Sequence, residues 1–276
     1  MINRQLHKDG DILQDEIIYS WSRLNTYHMA TEGEGCFHLF NEQYNHDNRG
    51  ENNYFAEYGL LVHETIEKLH NNELLAWDLE DELRNGLKNF TYSVPFAKMR
   101  ASYENSLFKF FDEFDEVFKD YDVKQAEELK LFEIDGIKLK GFPDLYAQHK
   151  EYGMIIGDYK TSRVYNAKKM KHNIQQLYLY SIPFYNEYGY WPDALVYIFP
   201  REKDNRERVI KFDMKELERT KQWVKDTVAK IESHGSEWNP LCSVVDGKKE
   251  FFPCQLCNLR NTCEYRYSYH NSLTTV

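Results

Sequence analysis

The spacing of apolar residues changes once along this chain, near residue 122. Before that point it is helical. Ser20 or Ser22 can cap a short helix over Arg23–Met29, and Cys36–Tyr44 reads as a second. Tyr54–Leu69 carries Leu61, Ile66 and Leu69 at helical spacing, and Trp77–Phe90 and Ser102–Tyr121 read as amphipathic helices. After Asp122 alternation takes over. Leu129–Ile134 and Ile137–Lys140 flank Asp135-Gly136, the signature of a tight hairpin. The second strand is expected to run on through GFPDLYAQ to a polar turn at His149–Gly153. Strand 154–161, a helix over Asn173–Tyr188, strands Ala194–Phe199 and Val209–Phe212, and a helix over Lys215–Ser233 complete the pattern. Residues 234–276 read as an irregular tail. Helices, a strand meander and alternating elements together predict an α/β (α+β) fold with one mixed sheet.

The chemistry concentrates on two of these strands. Pro143-Asp144 precedes the 149–153 turn, and Asp158-Tyr159-Lys160 follows it. Asp158 and Lys160 share one face of a strand, and an even cross-strand offset puts Asp144 beside them. Carboxylate oxygens suit Mg²⁺ or Mn²⁺. Such a metal activates water and draws charge off a phosphodiester, while a lysine orients the water or neutralises the phosphorane. A surface hairpin with ordinary Asp–Lys pairs is the competing reading. Met154-Ile155-Ile156 weighs against it, because an apolar run ending on an acid–lysine pair places charge at the rim of a core.

Three further features bear on this chemistry. Arg163, Lys168, Lys169, Lys171 and His172 form a basic run without an acid, readable as a phosphate track or as a solvated loop. Gln176 and Tyr180 share a helical face and can reach the hairpin's end, although Tyr180 taken alone reads better as an ordinary core aromatic. His63 lies in YGLLVHETIEKLH, which lacks the second histidine of a zinc-peptidase motif. It is either a structural helix residue or an imidazole ligand that shifts preference toward Mn²⁺.

Composition narrows the class. The net charge of −10 argues against a general polyanion binder, so any nucleic-acid surface must be local. The 42% hydrophobic content supports a sizeable core. No apolar run approaches membrane-spanning length and MINRQLHKDGDILQDE has no secretory character, so the expected location is cytoplasmic. The cysteines number five, which disfavours a disulfide framework. Cys254, Cys257 and Cys263 are clustered, which suggests metal or cluster ligation.

SWSRLNTY (20–27), YGLLVHETIE (58–67), GFPDL (141–145), DYKT (158–161) and QLYLY (176–180), followed by the cysteine group, occur in one order. Jointly they resemble the RecB-like branch of the PD-(D/E)XK nucleases. Within it the chain is most similar to the cysteine-bearing AddB nuclease domain, CRISPR-associated adaptation nucleases and phage exonucleases. The resemblance implies a restriction-endonuclease-like mixed central sheet flanked by helices. It implies that His63, Asp144, Asp158 and the Tyr159 carbonyl hold Mg²⁺ or Mn²⁺, that Lys160 is the catalytic lysine, and that Gln176 and Tyr180 form the family's Q-x-x-x-Y motif. It also implies a [4Fe–4S] cluster on Cys36, Cys254, Cys257 and Cys263, with zinc as the rival and Cys242 a free thiol. Here MATEGEG separates SRLNTY from Cys36, an insertion relative to familiar members.

The expected organisation is a helical part over 1–120 carrying Cys36 and His63, a nuclease core over 121–234, and a cysteine-rich tail over 235–276 closing onto Cys36 as one compact unit. The implied activity is exonucleolytic DNA cleavage, single-stranded DNA included, in recombination, repair, CRISPR adaptation or phage DNA metabolism. No G-x-x-x-x-G-K-[ST] motif is present, so a helicase or recombination partner would be a separate chain. The alternatives are a non-catalytic DNA-binding protein of the same fold and a zinc-stapled interaction module. The intact Asp144, Asp158 and Lys160 set argues against the first, and the basic run against the second.

Overall fold

The computed structural model describes residues 12–13, 16–90, 97–240, 254 and 256–265. Cys242, read above as a free thiol, lies outside them. In chain order the elements are β1 (Ile12–Leu13), β2 (Glu16–Ile17), β3 (Tyr19–Ser20), α1 (Trp21–Thr31), α2 (Phe37–Tyr44), α3 (Tyr54–His70), α4 (Leu79–Lys88), α5 (Ala97–Asp112) and α6 (Phe114–Phe118). Then come β4 (Tyr121–Ala126), β5 (Lys130–Ile134), β6 (Ile137–Gly141), β7 (Leu145–His149) and β8 (Gly153–Tyr159). The remainder are α7 (Ala167–Asn173), α8 (Gln175–Tyr188), β9 (Ala194–Ile198), β10 (Glu207–Lys211) and α9 (Met214–Glu232). The mixed α/β class expected from the pattern is observed.

Two compact units are present. The first comprises residues 1–53, 133–139 and 221–276; the second comprises 54–132 and 140–220.

In the second unit five strands lie in the order β10-β9-β8-β7-β4. β8 pairs in parallel with β9, and the other pairs are antiparallel. Burial on both faces explains why β8 and β9 are apolar throughout rather than alternating. Tyr58, Val62 and Ile66 of α3 pack with Phe110 of α5 and with Leu145, Ile155, Val196 and Ile198 of the sheet. This core holds α3 against β7, β8 and β9.

Three sequence expectations are corrected here. The helix expected over Ser102–Tyr121 ends earlier, as α5 and α6, and Tyr121 opens β4, an unforeseen strand beside β7. The strand expected to run through GFPDLYAQ is broken: β6 joins a three-stranded sheet ordered β3-β6-β5, and β7 joins the large sheet. Pro143 supplies the reason, since it has no N–H for a ladder and fixes φ. The basic run, if a loop, would have stayed irregular; instead 167–173 is helical, capped by Asn166, whose side chain accepts from Lys169 N at 2.9 Å.

In the first unit Ser20 is the cap of α1, its hydroxyl accepting from Arg23 N at 3.2 Å. The buried Arg23 side chain lies among the Tyr19, Phe40 and Tyr44 rings. The Tyr27 hydroxyl donates to Lys230 O at 2.9 Å, tying α1 to α9. The cysteine-bearing segment is sewn to residues 50–53. Arg260 donates from Nη1 to Glu51 O and from Nη2 to Asn52 O, both at 2.7 Å, and Glu51 N donates to Asn258 O at 2.9 Å. Gly50 has φ +63, and a Cβ there would sit 2.4 Å from Asn258 O, so only glycine fits this approach.

Candidate active site and cysteine site

The β7–β8 register pairs Leu145 with Gly157. One step further along the same ladder Asp144 stands opposite Asp158, the even offset that brings both carboxylates to one face. Tyr159 N donates to Asp144 Oδ2 at 2.7 Å and fixes that carboxylate across the strands. Both aspartates are buried. Lys160 Nζ lies 2.7 Å from Asp158 Oδ2 and donates to Gln176 Oε1 at 2.9 Å. Gln176 Nε2 in turn donates to the Tyr180 hydroxyl at 3.1 Å. The lysine is therefore aimed by a chain of contacts from α8.

Tyr180 owes its position to Gly141. A Cβ at residue 141 would lie 2.4 Å from Tyr180 Cε1. Gly141→Ala is expected to push the buried ring aside and cost about 1–3 kcal/mol. A melting curve checks the stability loss, and a Tm equal to the parent's would sink the argument.

His63, on α3, faces the same point. Its Nδ1 lies 3.0 Å from Glu127 Oε1 and 3.5 Å from Asp144 Oδ2, and its Nε2 lies 3.0 Å from Tyr159 O. Both ring nitrogens face acceptors, so without a metal both carry protons. Burial alone would lower the His63 pKa, but Asp144 and Glu127 raise it well above the ordinary value. Burial pushes Asp144 up too, yet His63, Lys160 and the Tyr159 N–H hold it below the usual carboxylate range. Asp158 is raised, by burial first and by the Asp144 charge, against the pull of Lys160. Burial also raises Glu127, opposed by His63.

This cluster fits a divalent cation. One ligand atom from each of His63, Glu127 and Asp144 lies within 4.8 Å of the others. Asp158 Oδ2 is buried and receives no hydrogen bond of good geometry, its ionic partner being Lys160. Several buried carboxylates crowded together need positive charge, and a hard cation with oxygen ligands supplies it.

Glu127 is the member that sequence reasoning missed. It follows β4 in a left-handed conformation, φ 50, rare for a non-glycine residue and frequent at functional sites. β4 also carries a bulge between Val123 and Gln125, which re-aims its end. No sequence pattern announced the strand.

The basic run divides. Lys169 Nζ lies 4.2 Å from the centre of the Tyr165 ring, and its pKa is lowered by burial and by the Lys160 charge, so it stands within the field of the site. Lys168, Lys171 and His172 line a separate depression of about 480 Å³ with Gln175, Tyr178 and Arg219. Arg163 lies by the site end of β8, its Nη1 3.4 Å from Glu202 Oε2.

Cys36 caps α2, and Cys254, Cys257 and Cys263 are half-buried. The Cys257 thiol is raised by burial and also feels Cys36 and Cys263. The rings of His38 and Tyr265, close in sequence to Cys36 and Cys263, lie 4.8 Å apart.

Among curated proteins no sequence match is found. A crystal structure from Eubacterium rectale, described as a candidate exonuclease, superposes with a TM-score of 0.52 at 15% identity, covering 91% of this chain and 87% of that one. The structure of SSO0001 aligns over 96% of this chain and 94% of its own at 14% identity, with a TM-score of 0.39. The family comparison is specific, running from residue 22 to residue 264 and so taking in every site residue named above: the chain belongs to the PD-(D/E)XK nuclease superfamily.

Proposed function

We propose that this protein is a divalent-metal-dependent deoxyribonuclease of the RecB-like branch, acting as an exonuclease. The observation that carries the reading is the convergence of Asp144, Asp158, Lys160 and His63 at one end of β7 and β8. The exonuclease description of the Eubacterium rectale protein supports the mode of cleavage. Asp144, Asp158, His63 and the Tyr159 carbonyl would hold Mg²⁺ or Mn²⁺, with Glu127 a further carboxylate facing the same point. When bound, the cation polarises the phosphate and lowers the pKa of a water. Lys160, fixed by Asp158 and Gln176, places its ammonium against the phosphate, where negative charge grows as the water oxygen attacks phosphorus and the P–O bond breaks. Gln176 and Tyr180 are positioning residues for that lysine.

The direct test is digestion of end-labelled single- and double-stranded DNA with Mg²⁺, Mn²⁺ or EDTA. Metal-dependent release of nucleotides from an end is expected. No cleavage under any metal would return the chain to a DNA-binding role on the same fold.

Arg163, Lys168, Lys169 and Lys171 remain the proposed DNA contacts, with Lys169 weighted above the others because it shares the field of Lys160. Lys169→Glu is expected to lower cleavage and to reduce the salt slope of DNA binding more than Lys168→Glu or Lys171→Glu. Slopes unaltered from the parent's in all three variants would place the whole run in solvent.

The second part of the reading is a [4Fe–4S] cluster on Cys36, Cys254, Cys257 and Cys263. The Cys257 thiol, raised first by burial, also feels Cys36 and Cys263. The family resemblance is what supports iron–sulfur here, and tetrahedral zinc on the same four thiols is the rival that iron and sulfide analysis distinguishes. The cluster would close the tail onto the N-terminal helices. Among the described residues no helix is long and apolar enough to cross a membrane. The proposed role is cytoplasmic, in recombination, repair, CRISPR adaptation or phage DNA metabolism beside a separate helicase or recombination protein.

A further inference from the structure

β8 and β9 run parallel, and Lys160 N donates to Ile198 O at 2.8 Å, one residue beyond the last strand pair. The two chains therefore leave the sheet side by side at the end where the metal ligands converge. Arg163 lies three residues past Lys160, and Arg201 three residues past Ile198. They stay together: Arg163 Nη1 donates to the Arg201 carbonyl at 3.3 Å. α3 passes close by, since a Cβ built at Gly59 would lie 3.4 Å from Thr161 Oγ1, and His63 follows one turn later.

The Arg201 guanidinium lies flat against Tyr103, 3.3 Å from the ring centre. Its Nε is buried without a hydrogen-bond partner. Among the described residues no carboxylate pairs with it. The adjacent Glu202 is occupied elsewhere, accepting from Val164 N at 3.3 Å and facing Arg163 at 3.4 Å. Half-burial disfavours the charged form of Arg201 and the neighbouring Arg163 charge adds to that, against the pull of Tyr103, Tyr58 and Glu202. A guanidinium stacked on one aromatic face keeps its planar fork of donors for a ligand. An arginine with no carboxylate partner among the described residues, beside a second arginine in a protein of net charge −10, calls for an anion with several acceptor oxygens.

We propose that Arg201, seated on Tyr103 and flanked by Arg163, grips the non-bridging oxygens of a backbone phosphate in the nucleic-acid strand, next to the bond held at the metal site. The inference rests on the nuclease reading for the identity of the strand. It assigns Arg201 to substrate binding, and Tyr103 becomes the platform that fixes the guanidinium's plane.

The test is equilibrium binding of a fluorescent single-stranded oligonucleotide to the full chain in EDTA, read by anisotropy across a salt series. Arg201→Gln is expected to weaken binding about tenfold and to lower the slope of log K against log salt by roughly 0.7, the value of one phosphate contact on a single strand. Arg201→Lys should keep most of the slope, because the point charge remains. It also provides the reading if the glutamine variant fails to fold. An Arg201→Gln protein with the parent's affinity and slope overturns the proposal. So does a variant whose only change is a lower melting temperature, which would make Arg201 a structural clasp on Tyr103. A parent that binds no oligonucleotide also overturns it. A parent that binds with the expected Arg201 dependence yet never cleaves, with any metal, would sink the nuclease reading and leave the phosphate seat standing.

Discussion

Asp158→Ala is expected to abolish Mg²⁺- and Mn²⁺-dependent DNA digestion, by roughly 10³-fold or more, the scale on which one charge-stabilising group in an active site acts. The residue serves two masters in this geometry. It is a proposed metal ligand, and it holds Lys160 at 2.7 Å. Its loss removes a cation site and frees the ammonium that Gln176 alone would then position. The fold should tolerate the change better than the chemistry does. Burial raises the Asp158 pKa, which means that the folded state disfavours its ionised form. The sign follows: ionised Asp158 contributes no net stability at neutral pH, and its removal lifts that cost while leaving a small cavity. Offsetting terms should keep Tm within about 5 °C of the parent's. Three measurements decide the matter: digestion of end-labelled DNA, Mn²⁺ titration by calorimetry, and a melting curve. A folded Asp158→Ala protein that digests DNA as fast as the parent removes Asp158 from the site.

The second large effect is expected at the cysteines. Anaerobically purified protein should be brown, with a broad band near ~400 nm and iron and sulfide each approaching about four per chain. Cys254→Ser should lose the colour. It should also melt roughly 10 °C lower, because metal binding is coupled to folding and a loss of ~4 kcal/mol shifts a domain of this size by about 2–4 °C per kcal/mol. The protein contacts around the segment are not expected to replace the proposed cluster. Arg260 ties it to Glu51 and Asn52, but these bonds hold one edge only. Cys242→Ser should change neither colour nor melting. A colourless protein holding one tight zinc would refute the iron–sulfur assignment and keep the staple. The nuclease reading survives that outcome, since the Asp144 and Asp158 geometry involves no cysteine.

How much of this was readable in advance depends on how far apart the interacting residues lie in sequence. Asp135-Gly136 announced a hairpin because both residues need positive φ, and they have it, at 47° and 86°. Met154-Ile155-Ile156 announced a buried strand because β8 is covered on both faces. The even spacing of Asp158 and Lys160 fixed their common face. The order of five short motifs was enough to suggest the superfamily that the match over residues 22–264 establishes.

Only the tertiary structure decided the rest. Pro143 ends a strand that hydrophobic pattern alone carried onward, and the chain passes from one sheet to another at that point. β4 has exposed and half-buried positions along an edge, too weak an alternation to be read, and so Glu127 went unseen beside His63. The basic run was one feature as a string of letters, but a helix turns neighbouring residues about 100° apart. Lys169 therefore stands near Lys160 while Lys168 and Lys171 line a different depression. Arg201 shows the same limit most plainly. Nothing adjacent in sequence marks it, because its platform Tyr103 and its neighbour Arg163 come from other elements. Periodicity and turn chemistry are local and survive in the sequence, whereas convergence at a site is set by strand register and packing between distant segments, which exist only once the chain has folded.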